Sequence, residues 1–108
     1  MSVSAQRITP VECKILKSLW QRRSASLTDI TVDVYDENNP TNFAYVHKSL
    51  RRLQKKGYVE KDFSIRPQLY SPRVTYNEVI LQEFRDLAEK YCNGSIEELV
   101  SILMEETG

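Results

Sequence analysis

"FAYVHKSLRRLQKKGYVE", residues 43–60, carries five of the chain's fifteen Lys and Arg residues and its single His, against one acid, Glu60. Helical winding gathers Phe43, Val46, Leu50 and Leu53 on one side, with His47 and Gln54 beside them. Ala44, Tyr45, Lys48, Arg51, Arg52 and Lys55 fall on the other side. The apolar stripe reads as core, and His47 as a packed residue at its edge. The outer side reads differently. A solvated helix normally interleaves acids with bases, which gives i, i+4 pairs and solubility. Here no Asp or Glu occurs between Glu37 and Glu60. An acid-free cationic face with one aromatic near its N-terminal end suits a polyanion, nucleic acid above all.

The helix is predicted from about Asn42 to Lys56. Thr41 or Asn42 caps it after the polar breaker Asp36–Pro40, and Gly57 stops it with Lys55 and Lys56 in the last turn. Gly57–Lys61 and Gln68–Ser71 then predict two short strands around a polar tip, Asp62–Pro67, that carries Arg66. Upstream, Thr9-Pro10-Val11-Glu12 has the form of a capping box with proline in the first turn, and Ile8 and Cys13 occupy staple positions. Val11, Ile15, Leu16, Leu19 and Trp20 follow at helical spacing. A turn over Gln21–Ser26 leaves Arg22 and Arg23 solvated, and a shorter helix over Leu27–Tyr35 turns Leu27, Ile30 and Val34 inward. Three helices and a two-stranded hairpin make the winged helix–turn–helix arrangement. Its third helix can lie in the major groove while the hairpin reaches adjacent backbone.

Charge and apolar pattern both change near residue 75. Residues 1–74 hold thirteen Lys and Arg against seven Asp and Glu, and residues 75–108 hold two against eight. In the acidic part, Ile80, Phe84, Leu87 and Tyr91 form one helical stripe, while Leu81, Ala88 and Cys92 form a second. Asn93-Gly94 breaks the helix, and Ser95-Ile96-Glu97-Glu98 opens another containing Ile96, Leu99, Val100, Ile102, Leu103 and Met104. Helices apolar on more than one face need a partner. The expected class is therefore mainly α with a small β-hairpin wing. Residues 1–74 form a winged-helix DNA-binding domain, and residues 75–108 form helices that make a homodimer.

Site roles follow from position. Tyr45 and Lys48 lie in the first half of the third helix, the part that meets base edges. Arg52, next on the same face, can read a guanine or clamp a phosphate. Thr41 and Asn42 can bond phosphate at the helix start. Arg51, Lys55, Lys56, Lys61 and Arg66 are assigned to phosphates, which position without specifying. The alternative is a winged-helix interaction module whose basic face docks an acidic protein.

Other chemistries find little support. At 108 residues, 41% hydrophobic and 28% charged, the composition is that of one ordinary globular chain. Cys13 and Cys92 lie far apart with no CxxC, which fits neither zinc nor a disulfide framework and suggests a reduced, cytoplasmic setting. Residues 1–10 lack the apolar core of a signal peptide, and no run approaches the roughly 18 apolar residues of a membrane span. Asp29 and Asp33 share a helix face, but no His or Cys joins them, so they read as solvated. With no nucleophile–base pair, phosphate loop or ligand cluster, no catalysis, metal or cofactor is expected.

"ITPVECKILKSLW", "VHKSLRRLQKKGYVEK", "LYSPRV" and "FRDLAEKYCNGSIEELVSILMEE" occur in the order and spacing of the penicillinase repressor family, which the chain resembles over about residues 8–106. The resemblance implies a dimeric repressor that binds an inverted-repeat operator through an N-terminal winged helix. Recognition positions then fall on Tyr45, His47 and Lys48. Dimerising positions fall on Ile80, Phe84, Leu87, Ile96, Leu99, Val100 and Leu103, and Tyr91 shares their stripe. Where resistance members carry the Asn-Phe bond cut by a sensor-protease pathway, this chain has Ile102-Leu103, so that position does not support such a circuit. The cysteine-rich tail of copper-responsive members is absent. "NNPTNF" replaces the usual Ser-Pro-type start of the third helix.

Overall fold

Thr9 opens the first helix with both bonds of its box closed. Its Oγ1 accepts from the Glu12 N–H at 3.2 Å, and Glu12 Oε1 accepts from the Thr9 N–H at 2.9 Å. The computed structural model describes residues 8–107; residues 1–7, on which part of the signal-peptide expectation rests, lie outside them. The helices are α1 (Pro10–Arg22), α2 (Leu27–Tyr35), α3 (Pro40–Lys55), α4 (Tyr76–Tyr91) and α5 (Ile96–Thr107). The strands are β1 (Ala25–Ser26), β2 (Val59–Asp62) and β3 (Leu69–Pro72). This is the mainly α class with a small β wing that the residue pattern predicted. The described residues divide into two compact units, one from Ile8 to Thr75 and one from Tyr76 onward.

In the first unit the predicted stripes meet. Ile15, Leu16 and Leu19 of α1, Ile30 of α2, and Val46, Leu50 and Leu53 of α3 have no solvent exposure. Each such side chain contributes about 1.5–3 kcal/mol, enough to fix which face of α3 turns inward. The half-buried Trp20 donates its indole N–H to the Val74 carbonyl at 2.8 Å, tying α1 to the segment after the wing.

Three details differ from the local expectations. First, the start of α3 is capped by Asn39, whose Oδ1 accepts from the Asn42 N–H at 2.8 Å, with Pro40 in the first turn. Neither Thr41 nor Asn42 is the cap. A proline lacks the N–H that the first turn leaves unpaired anyway, so the helix starts through Pro40 rather than after it. Second, the supposed turn Gln21–Ser26 contains strand β1, which pairs antiparallel with β3 through Ala25–Tyr70 and Ser26–Leu69. The sheet thus has three strands in the order β1-β3-β2. Third, Arg22 is not simply solvated. Its guanidinium grips Asp33 at 2.7 and 2.9 Å, and Ser18 donates to the same carboxylate at 2.6 Å.

The end of α3 follows the predicted glycine stop. Gly57 has φ +81°, and its N–H bonds the Gln54 carbonyl while the Tyr58 N–H bonds that of Leu53. That pair of bonds reverses the chain into β2. The wing pairs β2 with β3 from Val59–Pro72 to Asp62–Leu69. The Arg73 N–H bonds the Tyr58 carbonyl. Strand alternation then puts the Pro72 nitrogen on the opposite side, beyond the end of β1, where no N–H is needed.

In the second unit, Ala88 and Cys92 are buried, while α5 buries no residue. Asn93 and Gly94 both take positive φ at the break, and Ser95 Oγ accepts from the Glu98 N–H at 3.2 Å to open α5. Among the described residues, no helix is long and apolar enough to cross a membrane.

Candidate nucleic-acid interface

Burial of Val46, Leu50 and Leu53 decides what α3 shows outward. Thr41, Tyr45, Lys48, Arg52 and Lys55 are exposed along one line, and Arg51 beside them is exposed as well. Tyr45 is 56% exposed, in the first half of the helix. Toward the C-terminal half, Lys48, Arg51, Arg52, Gln54 and Lys55 line a shallow open concavity. His47 is exposed too, rather than packed at the core edge, because Ser49 takes up buried surface on the far side of the stripe.

Asn42 is half-buried, with its side-chain amide donating to the Glu37 carbonyl at 3.1 Å. The first turn of α3 is therefore tied back to the loop that precedes it. In the wing, Lys61 is half-buried, with Nζ 5.3 Å from the Phe63 ring centre and 5.4 Å from that of Tyr70. Arg66 is exposed. The eight positions expected to dimerise, Ile80, Phe84, Leu87, Tyr91, Ile96, Leu99, Val100 and Leu103, belong to the second unit.

Two cations of the stretch are engaged from inside. Glu12 has no solvent exposure, and its Oε1 accepts from Lys56 Nζ at 2.8 Å. Arg52 Nε lies 3.4 Å from Glu12 Oε2, and Arg52 Nη2 donates to Ser49 Oγ at 3.0 Å. Lys56 retains only 15% side-chain exposure, whereas Arg52 retains 44%. Burial pushes the Glu12 carboxyl up, but the Lys56 and Thr9 hydrogen bonds and the charges of Lys56 and Arg52 outweigh it and hold the pKa below its ordinary value. The capping box accounted for one oxygen of Glu12 and missed the other role. The signal was there: Glu12, Ile15, Leu16 and Leu19 share one helical stripe, and a carboxylate on a core stripe requires a cation.

Among the described residues, no three His, Cys, Asp or Glu side chains gather as a metal site. The arrangement offers cationic hydrogen-bond donors on a helix and an adjacent wing.

Three helices, a short sheet and an outward cationic third helix define a winged helix–turn–helix protein. The chain belongs to the penicillinase repressor family, whose model it matches over residues 8–108. That family is one of DNA-binding transcriptional repressors. No curated protein matches the chain.

Proposed function

We propose that the protein is a homodimeric repressor that occludes a promoter by binding an inverted-repeat operator in the cytoplasm. The observation that carries this reading is the outer face of α3, where Tyr45, Lys48, Arg51 and Lys55 are exposed with no acid between Glu37 and Glu60. Tyr45, His47 and Lys48 meet base edges in the major groove. Arg52, held by Glu12 and Ser49, presents a pre-oriented guanidinium to a guanine or a phosphate. Thr41, Asn42, Arg51, Lys55, Lys61 and Arg66 take phosphates. Lys56 faces Glu12 and supports the helix more than the DNA.

Residues 75–108 supply the second copy. Leu87, Tyr91, Val100 and Leu103 stay between 43% and 69% exposed within one chain, which is an unstable arrangement without a partner. A groove along α4, lined by Ile80, Phe84, Leu87 and Tyr91 together with the charged Glu83, Asp86 and Lys90, can seat the equivalent stripe of another copy.

Selection of duplexes from a random-sequence library by the full chain tests the reading. An enriched palindrome with half-sites about one helical turn apart is expected, and Tyr45→Ala should change the preferred bases within each half-site. Failure to enrich any duplex, together with capture of an acidic protein, would favour the interaction-module alternative.

A further inference from the structure

The connection between β2 and β3, residues 63–68, lies in the stretch read above as a polar tip, yet it exposes two large apolar side chains, Phe63 and Ile65, where a hairpin tip is ordinarily polar. Phe63 is 67% exposed and Ile65 is 42% exposed. Single exposed apolar residues are common and need no account. This pair is distinguished by how it is held and by what flanks it. Asp62 Oδ1 accepts both the Ser64 N–H at 2.8 Å and the Ser64 hydroxyl at 2.6 Å, which braces the backbone on either side of Phe63. The Lys61 ammonium stands 5.3 Å from the Phe63 ring centre and 5.4 Å from that of the buried Tyr70. The tip is thus joined to the sheet through a cation, and Arg66 lies exposed on its other flank. Its one acid, Asp62, is engaged by Ser64.

A braced apolar tip between two cations fits a narrow cleft with anionic walls and an apolar floor. The minor groove of DNA is such a cleft, with phosphates along both rims and stacked bases between them. Phe and Ile are among the side chains that wedge between base steps there. Resting on the proposed function above, we infer that the wing tip is a minor-groove wedge. Phe63 enters the groove flanking the half-site read by α3 and partly unstacks one base step, while Lys61 and Arg66 hold the rims. The wedge makes the protein sensitive to sequence that α3 does not touch. Flexible pyrimidine–purine steps, which unstack at low cost, are preferred at the position under the wing.

The test uses the full chain and a duplex that the wild type selects from a random-sequence library. Circularly permuted copies of that duplex, run as complexes on gels, report the bend. The wild type should bend it by at least about 20° and should enrich TA or CA steps in the flanks. Phe63→Ala, at an exposed position that leaves the fold intact by circular dichroism, should bind about tenfold more weakly, lose most of the bend and lose the flank preference. Phe63→Leu should restore part of the bend.

Phe63→Ala binding and bending like wild type, while Lys48→Ala binds poorly, would overturn the wedge and leave the α3 reading standing. An unchanged bend with a fall in sedimenting mass would assign the tip to a second copy and overturn it equally. Enrichment of no duplex by the wild type would remove the proposed function, and the wedge with it.

Discussion

A carboxylate with no solvent exposure must have its charge matched from within, and Glu12 is matched by Lys56 at 2.8 Å, Arg52 at 3.4 Å and the Thr9 N–H at 2.9 Å. Removing a partner of a buried pair costs more than removing the charge itself, because the remaining ion stays desolvated. Lys56→Met should therefore lower unfolding free energy by about 3 kcal/mol, and Glu12→Gln by roughly half as much, both measured by urea denaturation. The double variant should be more stable than Lys56→Met alone. The pH dependence has a definite sign. The folded-state pKa of Glu12 lies below its ordinary value, as does that of Asp33, where the Arg22 hydrogen bond leads and the Ser18 bond adds to it. Groups of this kind stabilise the fold fully above the unfolded carboxylate range, about 4, and the stabilisation is lost as pH falls through the folded-state values. The melting temperature should be flat near neutrality and drop on the acid side. Glu12→Gln should shrink that drop.

At the scale of elements, the ends of α3 show what local chemistry can and cannot reveal. Gly57 as the stop was legible because only a residue that accepts positive φ closes the helix cheaply there. With φ +81° and no atom within 4 Å of an added Cβ, Gly57→Ala should cost about 1–2 kcal/mol through backbone strain alone, measurable as a fall in melting temperature. The start of α3 was less legible. Asn38, Asn39, Thr41 and Asn42 are all competent caps, and only the Pro40 position discriminates among them. Asn39→Ala should cost about 1 kcal/mol, and Thr41→Ala much less. Strand β1 was illegible for a different reason. A two-residue strand has no periodicity, and Ala25–Ser26 exists because β3 offers an open edge to it. The Arg22–Asp33 pair and the inner role of Lys56 are likewise products of tertiary placement. Eleven residues separate the first pair and 44 separate Glu12 from Lys56, so no helical spacing announces either. The outward side of α3, by contrast, was readable from helical spacing for Tyr45, Lys48, Arg51 and Lys55, but not for His47, which is exposed rather than packed, nor for the hold of Glu12 and Ser49 on Arg52.

At the level of the whole molecule, the chain divides its charge, basic up to residue 74 and acidic after it. The acidic unit from Tyr76 leaves most of its apolar residues exposed, and the proposed homodimer answers that exposure. Sedimentation at micromolar concentration should give twice the chain mass, and Leu87→Asp should return the monomer while leaving the first unit folded by circular dichroism. Binding to DNA should then weaken strongly, since one half-site no longer assists the other. We propose the acid-free outer face of α3 as the surface that meets DNA. Salt titration of binding to the selected duplex tests it most directly, comparing the wild type with Lys48→Ala and Arg51→Ala on α3 and with Lys17→Ala on the exposed side of α1. A contact to phosphate contributes about −0.9 to the slope of log K against log salt concentration, so Arg51→Ala should weaken binding and flatten the slope by about that amount per subunit. Lys48→Ala should weaken binding at every salt concentration, and Lys17→Ala should match the wild type. Unchanged affinity and slope in both α3 variants, with a loss in Lys17→Ala, would move the DNA-binding surface from α3 to α1.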